Sequence, residues 1–543
     1  MSAALGERLA AAVAVTLGLL FLTEWALLRR SRRARRSQRT HRVRPAVAVA
    51  AAAASAASAA SAGARSSTHR AHATGVRAAG AVRRRRPGGG RRAVFVAAIV
   101  VGFAVRLVWV VWATRTPTGL RDPAEYLRIA VGFSEGDMPT FGGGGGPSAF
   151  WPPGYPAVLS PFVWLARQTG WASTAFVASL VNVAAGTATV ALAGVLADRW
   201  LGRAARNTAA WLVALCPALV YWTSTAHTET AFTPLFLGAL SMASIAAARP
   251  STRRWVAVGA LVAAAFLVRS PGVIALAAPA LAVRGTRGSW RGALRPTLIV
   301  VGVAAACLVP WTIRNGVQVG FWSPASTNNA GAVCFGHHDE APALWEPEKL
   351  SQEIQDDCYG TSPYAERRFA TLYGLSGSAA EAMPVDTDEV AWYRDATGRG
   401  VRWAVTHPVE EAELSARKVW ETWSSEGRVV DGARNFEDPG WAGHWHGPLE
   451  AVADWWGWLV GAGAVAGLAL VPACRRASVV WVPIALYTLA IAGGVVDPHY
   501  RYPVVPLVAV LAAGALVHLW PGADPLPGVA VGEHGRSSER TAP

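Results

Sequence analysis

Between residues 29 and 92 there is no acidic residue and no lysine, although the stretch holds 18 arginines. The whole chain of 543 residues has only five cysteines, and their spacing matches no metal-binding pattern. It contains no GxxxxGK[ST] loop, so the backbone cradle that would hold a nucleotide's phosphates is missing and ATP-driven transport has no visible engine. The basic runs RRSRRARRSQRTHRVR and RRRRPGGGRR carry no aromatic side chains among their arginines. Without rings on which bases stack, they are expected to bind no nucleic acid.

The basic character is local. Removing the 18 arginines of residues 29–92, and the net −1 of residues 1–28, from the chain's +16 leaves −1 for everything after residue 92. The segment therefore reads as a disordered cytoplasmic linker whose arginines set membrane orientation, or as a stretch that holds the anionic heads of membrane lipid. Ahead of it, residues 1–28 hold one apolar run followed by arginine, the reverse of a secretory signal peptide, and this predicts an N-terminal anchor helix.

What the chain does have is apolar sequence: 52% hydrophobic residues, 25 tryptophans and a positive mean hydropathy. Several runs reach the roughly 20 residues needed to cross the hydrocarbon of a bilayer. Spans are expected at 93–114, 173–198, 207–224, 229–248, 296–313, 455–472, 477–495 and 503–520. A thin pair at 255–268 and 271–283 is broken at VRSPG. The fold class is an all-α polytopic membrane protein with about 10–11 transmembrane helices. Arginine placement puts residues 115–172 and 314–454 on the outer face, and the latter holds 23 acidic against 11 basic residues. The tail from 521 to 543 reads as disordered.

Unusual polar residues collect on that outer side: Asp122, Glu125, Glu229, Arg269, Arg314 and Arg501. Ionisable groups near hydrocarbon cost several kcal/mol unless paired or wet, so such a gathering suggests a site. Asp122 with Pro123 and Glu125 also forms a helix N-terminus signature, in which Asp122 caps and Glu125 completes a capping box. Cys334 and Cys358 share the oxidising outer face, where a disulfide between them can form, and the other three cysteines read as small core residues. DTD at 386–388 lies in an acidic outer loop without a nucleotide fold, and HHDE at 337–340 and HWH at 444–446 offer too few ligands for a metal site. GGGGG at 142–146 reads as a hinge in the first outer loop. VRWAVTHPVEEAELSARKVWETW reads as an amphipathic helix outside the membrane.

The segments RDPAEYLRIA and AFWPPGYPAVL resemble the first outer loop of GT-C glycosyltransferases of the bacterial family-39 group, relatives of protein O-mannosyltransferases and aminoarabinose transferases. HTETAFTPLFL, FLVRSPGVIALAAPAL, LVPWTIRNGVQVGFWSPASTNNAG and HYRYPVVPLVAVLAAGAL follow in the order that group shows, so the likeness runs over residues 93–520. The resemblance implies a GT-C fold in the cell membrane, with a site on the extracytoplasmic face. It also implies a mannosyltransferase-like hexosyl- or pentosyltransferase of the cell envelope. The donor would be a polyprenyl-phosphate sugar and the acceptor a glycan, lipid or protein. Asp122 is then the base that takes the acceptor's proton. Arg269, Arg314 and Arg501 hold the lipid phosphate, or serve as interfacial anchors. Tyr126 and Tyr500 order that phosphate, or sit in the aromatic belt. Tyr155 belongs to the PPxYP entry, Glu229 orients hydroxyls or charges a helix N-terminus, and Asn315 follows Arg314 in the PWxxRN exit. Glu125 has a lesser chance of touching substrate. Departures from the pattern are Ser270, His337 and His499, and the last two stand where sugar and acceptor would be read. A singly phosphorylated donor requires neither metal nor cofactor, so none is expected. The competing reading is a transporter or flippase of a lipid-linked sugar, for which matching repeats are expected and none is seen.

Overall fold

The computed structural model describes residues 89–117, 122–140, 146–345, 351–359, 388–428, 430 and 442–520, all within one compact unit, Arg85–Pro543. The expected anchor at 1–28, nearly all of the arginine-rich linker, most of the glycine run at 142–146, most of DTD and the tail from 521 lie outside the described residues.

Helices account for every regular element among the described residues, and the one β contact is an isolated bridge between Thr140 and Pro147. α1 (Gly89–Ala113) leads to the first loop, which carries α2 (Asp122–Glu135) and α3 (Gly154–Thr169). There follow α4 (Thr174–Ala214), α5 (Pro217–Tyr221), α6 (Thr228–Ala248), α7 (Thr252–Val268), α8 (Ala278–Arg287) and α9 (Leu294–Val319). The segment after α9 contributes α10 (Asn329–Gly336), α11 (Gln352–Tyr359), α12 (Glu389–Thr406) and α13 (Pro408–Ser424). α14 (Ala442–Leu470), α15 (Pro472–Arg476), α16 (Ser478–Ala492) and α17 (Val505–Leu519) complete the bundle. Among the described residues, five helices are long and apolar enough to cross a membrane, beginning at Arg92, Thr174, Thr228, Leu294 and Pro498, and Ser478–Ala492 is a shorter apolar one. The chain is a multi-pass membrane protein.

Burial sorts these helices. α17 is covered along nearly its whole length by α4 and α14, and α6 packs among α4, α7 and α8. α9 instead turns Leu294, Leu298, Val309, Ile313 and Val317 outward, an apolar surface suited to lipid rather than water.

Two expectations change. The spans at 173–198 and 207–224 are separated within Thr174–Ala214 at Gly202, whose φ of 88° and ψ of 177° are not helical and which only glycine adopts cheaply. The second span then stops early, because Pro217 cannot continue a helix and restarts it as the short α5. The amphipathic stretch is two helices, broken between Thr406 and Pro408. The broken pair at VRSPG keeps its break: Arg269 is extended, and Ser270–Ala277 forms a 3-10 turn entered through Pro271.

A buried arginine that sequence reading missed secures the bend after α4. Arg106, in the middle of α1, has no solvent exposure and donates to the carbonyls of Gly102, Val213 and Ala214 at 3.0–3.1 Å. The last carbonyls of a helix lack intrahelical partners, and in hydrocarbon such orphans are costly. Arg106 supplies their donors from the neighbouring span.

Candidate active site

Four pieces of chain meet at one end of the bundle. The first is the start of α2. Its buried face, Tyr126, Leu127, Ile129 and Ala130, belongs to the main apolar core and leaves Asp122 half-buried at the tip. The ring of Tyr126 stands edge-on to Trp151, Tyr155 and His227, with centroids 5.5, 5.8 and 6.3 Å away.

The second piece is the entry of α3. A Cβ on Gly154 would lie 2.6 Å from the backbone of Leu267 and Val268, so only glycine lets the helix seat against the end of α7. That seating buries Tyr155 completely, and its hydroxyl donates to Asn182 Oδ1 at 3.1 Å. Asn182, on α4, turns its amide to the carbonyls of Thr225 (2.8 Å) and Thr223 (3.4 Å). One asparagine therefore fixes both the tyrosine and the turn leading into the third piece.

The third piece is that turn and the first turn of α6. Glu229 has no exposure and pairs with the Arg269 guanidinium, which also donates to Thr228 Oγ1 at 2.9 Å. His227 Nδ1 lies 3.5 Å from Glu229 Oε2. The fourth piece is the 3-10 turn Pro498–Val504. His499 Nε2 approaches Glu229 Oε1 to 3.4 Å, and its Nδ1 contacts the Asp497 carboxylate. Trp222 stacks on the His499 ring at 4.7 Å with planes 20° apart. The Arg269 guanidinium sits 5.1 Å from the Tyr500 ring centroid, a cation–π distance.

The Asp122 carboxyl is within electrostatic reach of His227, His499, Glu229 and Arg269. Its withdrawal from water raises its pKa above the ordinary aspartate value, the two histidines and Arg269 pull it back, and Glu229 adds to the rise. Burial likewise raises Tyr126 well above the usual phenol range, so it is a neutral hydroxyl at any working pH. A carboxyl biased toward holding a proton, beside a strong cation, suits proton abstraction next to an anionic group.

Asp122, Tyr126, Tyr155, Glu229, Arg269 and Tyr500 thus lie together. Five other candidates serve elsewhere. Glu125 does not close a capping box: its Oε2 accepts from Arg128 at 3.0–3.1 Å, and Arg128 also donates to the carbonyl of Thr140. Arg314 donates to the carbonyls of Ser148 and Pro139, both at 2.7 Å, and so holds the two arms of the first loop on α9. Glu389 accepts from the next amide, Ala149, at 3.0 Å. Asn315 donates to the Ser323 carbonyl at 2.9 Å. His337 meets Glu411 on α13 at 2.7 Å. Arg501 is 2% exposed, pairs with Glu426 at 2.7 Å, and donates to the carbonyls of Thr422 and Ser425. Cys334 and Cys358 form a disulfide with Cα atoms 5.5 Å apart, joining α10 to α11.

Sequence reading missed His227, Asn182, Trp222 and Asp497, and treated His499 only as a departure. The signals were present as His-x-Glu at the mouth of α6 and Asp-x-His at the start of the last 3-10 turn.

Residues 152–313 match the family model described as dolichyl-phosphate-mannose-protein mannosyltransferase. No curated protein matches the chain. Among solved structures it is similar to an Archaeoglobus fulgidus oligosaccharyltransferase, AglB, in complex with an inhibitory peptide and a dolichol-phosphate. That likeness has 13% identity and a TM-score of 0.44, and covers 79% of this chain and 50% of that one. It is also similar to ArnT from Cupriavidus metallidurans bound to undecaprenyl phosphate, at 16% identity and a TM-score of 0.43, over 80% of this chain and 62% of that one. The chain thus spans about half the length of the archaeal enzyme. The matched family stretch carries Tyr155, Asn182, His227, Glu229 and Arg269.

Proposed function

We propose that the chain transfers a sugar from a polyprenyl-phosphate donor to a hydroxyl acceptor at the extracytoplasmic face of the cell membrane, with Asp122 as the base. The observation that carries this reading is Asp122 itself. A carboxyl with a raised pKa stands at the tip of a loop helix, within reach of the Arg269–Tyr500 pair, at one end of an otherwise apolar bundle.

In the reaction, the Asp122 carboxylate takes the proton of the acceptor hydroxyl as its oxygen attacks C1 of the sugar. The bond between C1 and the phosphate oxygen breaks, and its electron pair leaves on the polyprenyl phosphate. Positive charge builds on the sugar ring in between. Arg269 faces the departing phosphate, where a guanidinium's forked donors are most effective. Glu229 keeps Arg269 in that pose, and the neutral Tyr126 hydroxyl is a donor beside the base. Arg314 and Arg501 act at one remove, by anchoring the first loop and the turn that carries Tyr500.

The test uses the purified chain in nanodiscs with radiolabelled polyprenyl-phosphate sugars. Label should pass to water or to an added acceptor with the native chain and at least ~100-fold more slowly with Asp122→Asn, as loss of a general base implies. Donor bound but not turned over by the native chain would instead mark a lipid-linked sugar transporter.

A further inference from the structure

We propose that Glu389, at the start of α12, is a positioning residue for the candidate base: it locks the far arm of the first loop, and that arm holds Tyr126 and Asp122 in place. The proposal deepens the glycosyltransferase reading, on which only its kinetic test rests.

The lock closes on a single peptide unit. The peptide bond from Ser148 to Ala149 presents its carbonyl to Arg314 on α9 at 2.7 Å and its amide to Glu389 Oε1 at 3.0 Å. The Ala149 carbonyl then accepts from the Thr327 amide at 3.0 Å, and Thr327 Oγ1 donates to the same Glu389 oxygen at 2.5 Å. These backbone groups need partners, because Ser148 and Ala149 are 4% and 1% exposed and neither belongs to a helix. Ala149 also packs with Phe321 and with Val390, the next residue of α12.

An acid in the first turn of a helix ordinarily serves the helix dipole. Here Asp388 does that work, accepting from the amides of Val390 and Ala391 at 3.0 and 2.9 Å. Glu389 is buried and gives its oxygen to the first loop instead. Enclosing a carboxyl is costly, and the bonds from Thr327, Ser148 and Ala149, with Arg314 facing it, offset that cost.

From the lock a line of buried rings leads to the site. Phe150 stacks on Trp392, one turn along α12 from Glu389, at 5.8 Å with planes 27° apart. Trp151 stands edge-on to Phe150 at 5.0 Å and to Tyr126 at 5.5 Å. Tyr126 lies one turn into α2 from Asp122. Close-packed side chains transmit displacement, so releasing Ala149 shifts Trp151, frees Tyr126 and lets water reach Asp122. The charged groups facing Asp122, namely His227, His499, Glu229 and Arg269, stand on other elements and stay where they are. The loss therefore falls on the base and spares the donor's cation.

The experiment compares full-length native chain, Glu389→Ala, Glu389→Gln and Asp395→Asn in nanodiscs, by amide hydrogen exchange and by turnover of polyprenyl-phosphate sugar against pH. Glutamine keeps an oxygen acceptor for Ala149 and Thr327, alanine removes it, and Asp395 lies on the exposed side of the same helix. In the native chain Ala149 should exchange slowly although it is in no helix. Glu389→Ala should lose at least about 10-fold of the protection over 148–151 and the start of α2, with α17 unchanged. Its kcat should fall about 10–100-fold while KM for the donor stays within about 2-fold. Its acid limb should move down toward the ordinary ~3.9 of a hydrated aspartate. Glu389→Gln should restore all three readouts, and Asp395→Asn should keep them. A residue that only stabilised the fold would lower the active fraction and leave the limb in place. Fast exchange at Ala149 in the native chain, unchanged exchange and limb in Glu389→Ala, or a glutamine variant that behaves like alanine would overturn the proposal. The native exchange decides the matter if the alanine variant fails to fold. The expected exchange pattern without sugar transfer would sink the transferase reading and leave the lock standing, and native transfer with fast exchange at Ala149 would do the reverse.

Discussion

The pairing of Glu229 with Arg269 can be measured apart from any reaction. Glu229 has no exposed side-chain surface and Arg269 has 17%. A carboxylate so enclosed keeps its charge only because cations face it, and Arg269 is the one that is always ionised. Replacing Arg269 with methionine keeps the apolar stem of the side chain and removes the charge, leaving Glu229 with His227 and His499 at 3.5 and 3.4 Å. Breaking a buried pair from one side typically costs about 3–5 kcal/mol. The partial exposure of Arg269, together with two imidazoles that can take up a proton, argues for the lower end, about 3 kcal/mol. Glu229→Gln removes the charge from the other side and should cost about 1–2 kcal/mol, because Arg269 keeps Thr228 and the face of Tyr500. With both replaced, no uncompensated charge remains, and the loss should stay near 2 kcal/mol instead of the 4–5 kcal/mol expected for independent sites. The coupling is therefore about 2–3 kcal/mol. Unfolding of the four proteins in one detergent would give the cycle. A coupling below about 0.5 kcal/mol would show that the two charges are solvated separately and that the site is wet where the structure draws it closed.

The raised pKa of Asp122 has consequences for both rate and stability. A base works deprotonated, so turnover should increase with pH through a value above the ordinary ~3.9 of aspartate, and a limb at or below that value would refute the burial argument. The folded state holds this proton more tightly than the unfolded chain, so above the folded pKa the carboxylate is a net penalty, and Asp122→Asn should raise the unfolding midpoint at neutral pH while abolishing turnover. The Cys334–Cys358 bridge closes a loop with a sequence separation of 24, worth about 3.5 kcal/mol of chain entropy. Replacing both cysteines by serine should lower stability by up to that amount, and a loss under about 1 kcal/mol would mean that the other contacts of α10 and α11 already hold the segment.

The bundle was legible because hydrocarbon imposes a length, and that length is written locally in the chain. The same local writing announced Asp122, Glu229 and Arg269, each a charge at the edge of an apolar run, where it must be satisfied or serve a purpose. What local sequence does not state is which partner satisfies it. Arg314 and Arg501 carried the same signal as Arg269, yet their guanidiniums are taken by the carbonyls of Pro139 and Ser148 in one case and by Glu426 with two carbonyls in the other. The difference is set by residues 75 to 175 positions away, which no spacing rule reaches. His227 was missed for the same reason: alone in a short turn between helices it is unremarkable, and it gains meaning only when the fold sets it 5.1 Å, ring to ring, from His499. Arg106 is the instructive reverse case. A lone arginine within an apolar run was visible from the start, and the cost of burying it required either a partner or a cavity. Its partners are backbone carbonyls exposed by the helix end before Pro217, so the need for that arginine was written a hundred residues further on, in a proline.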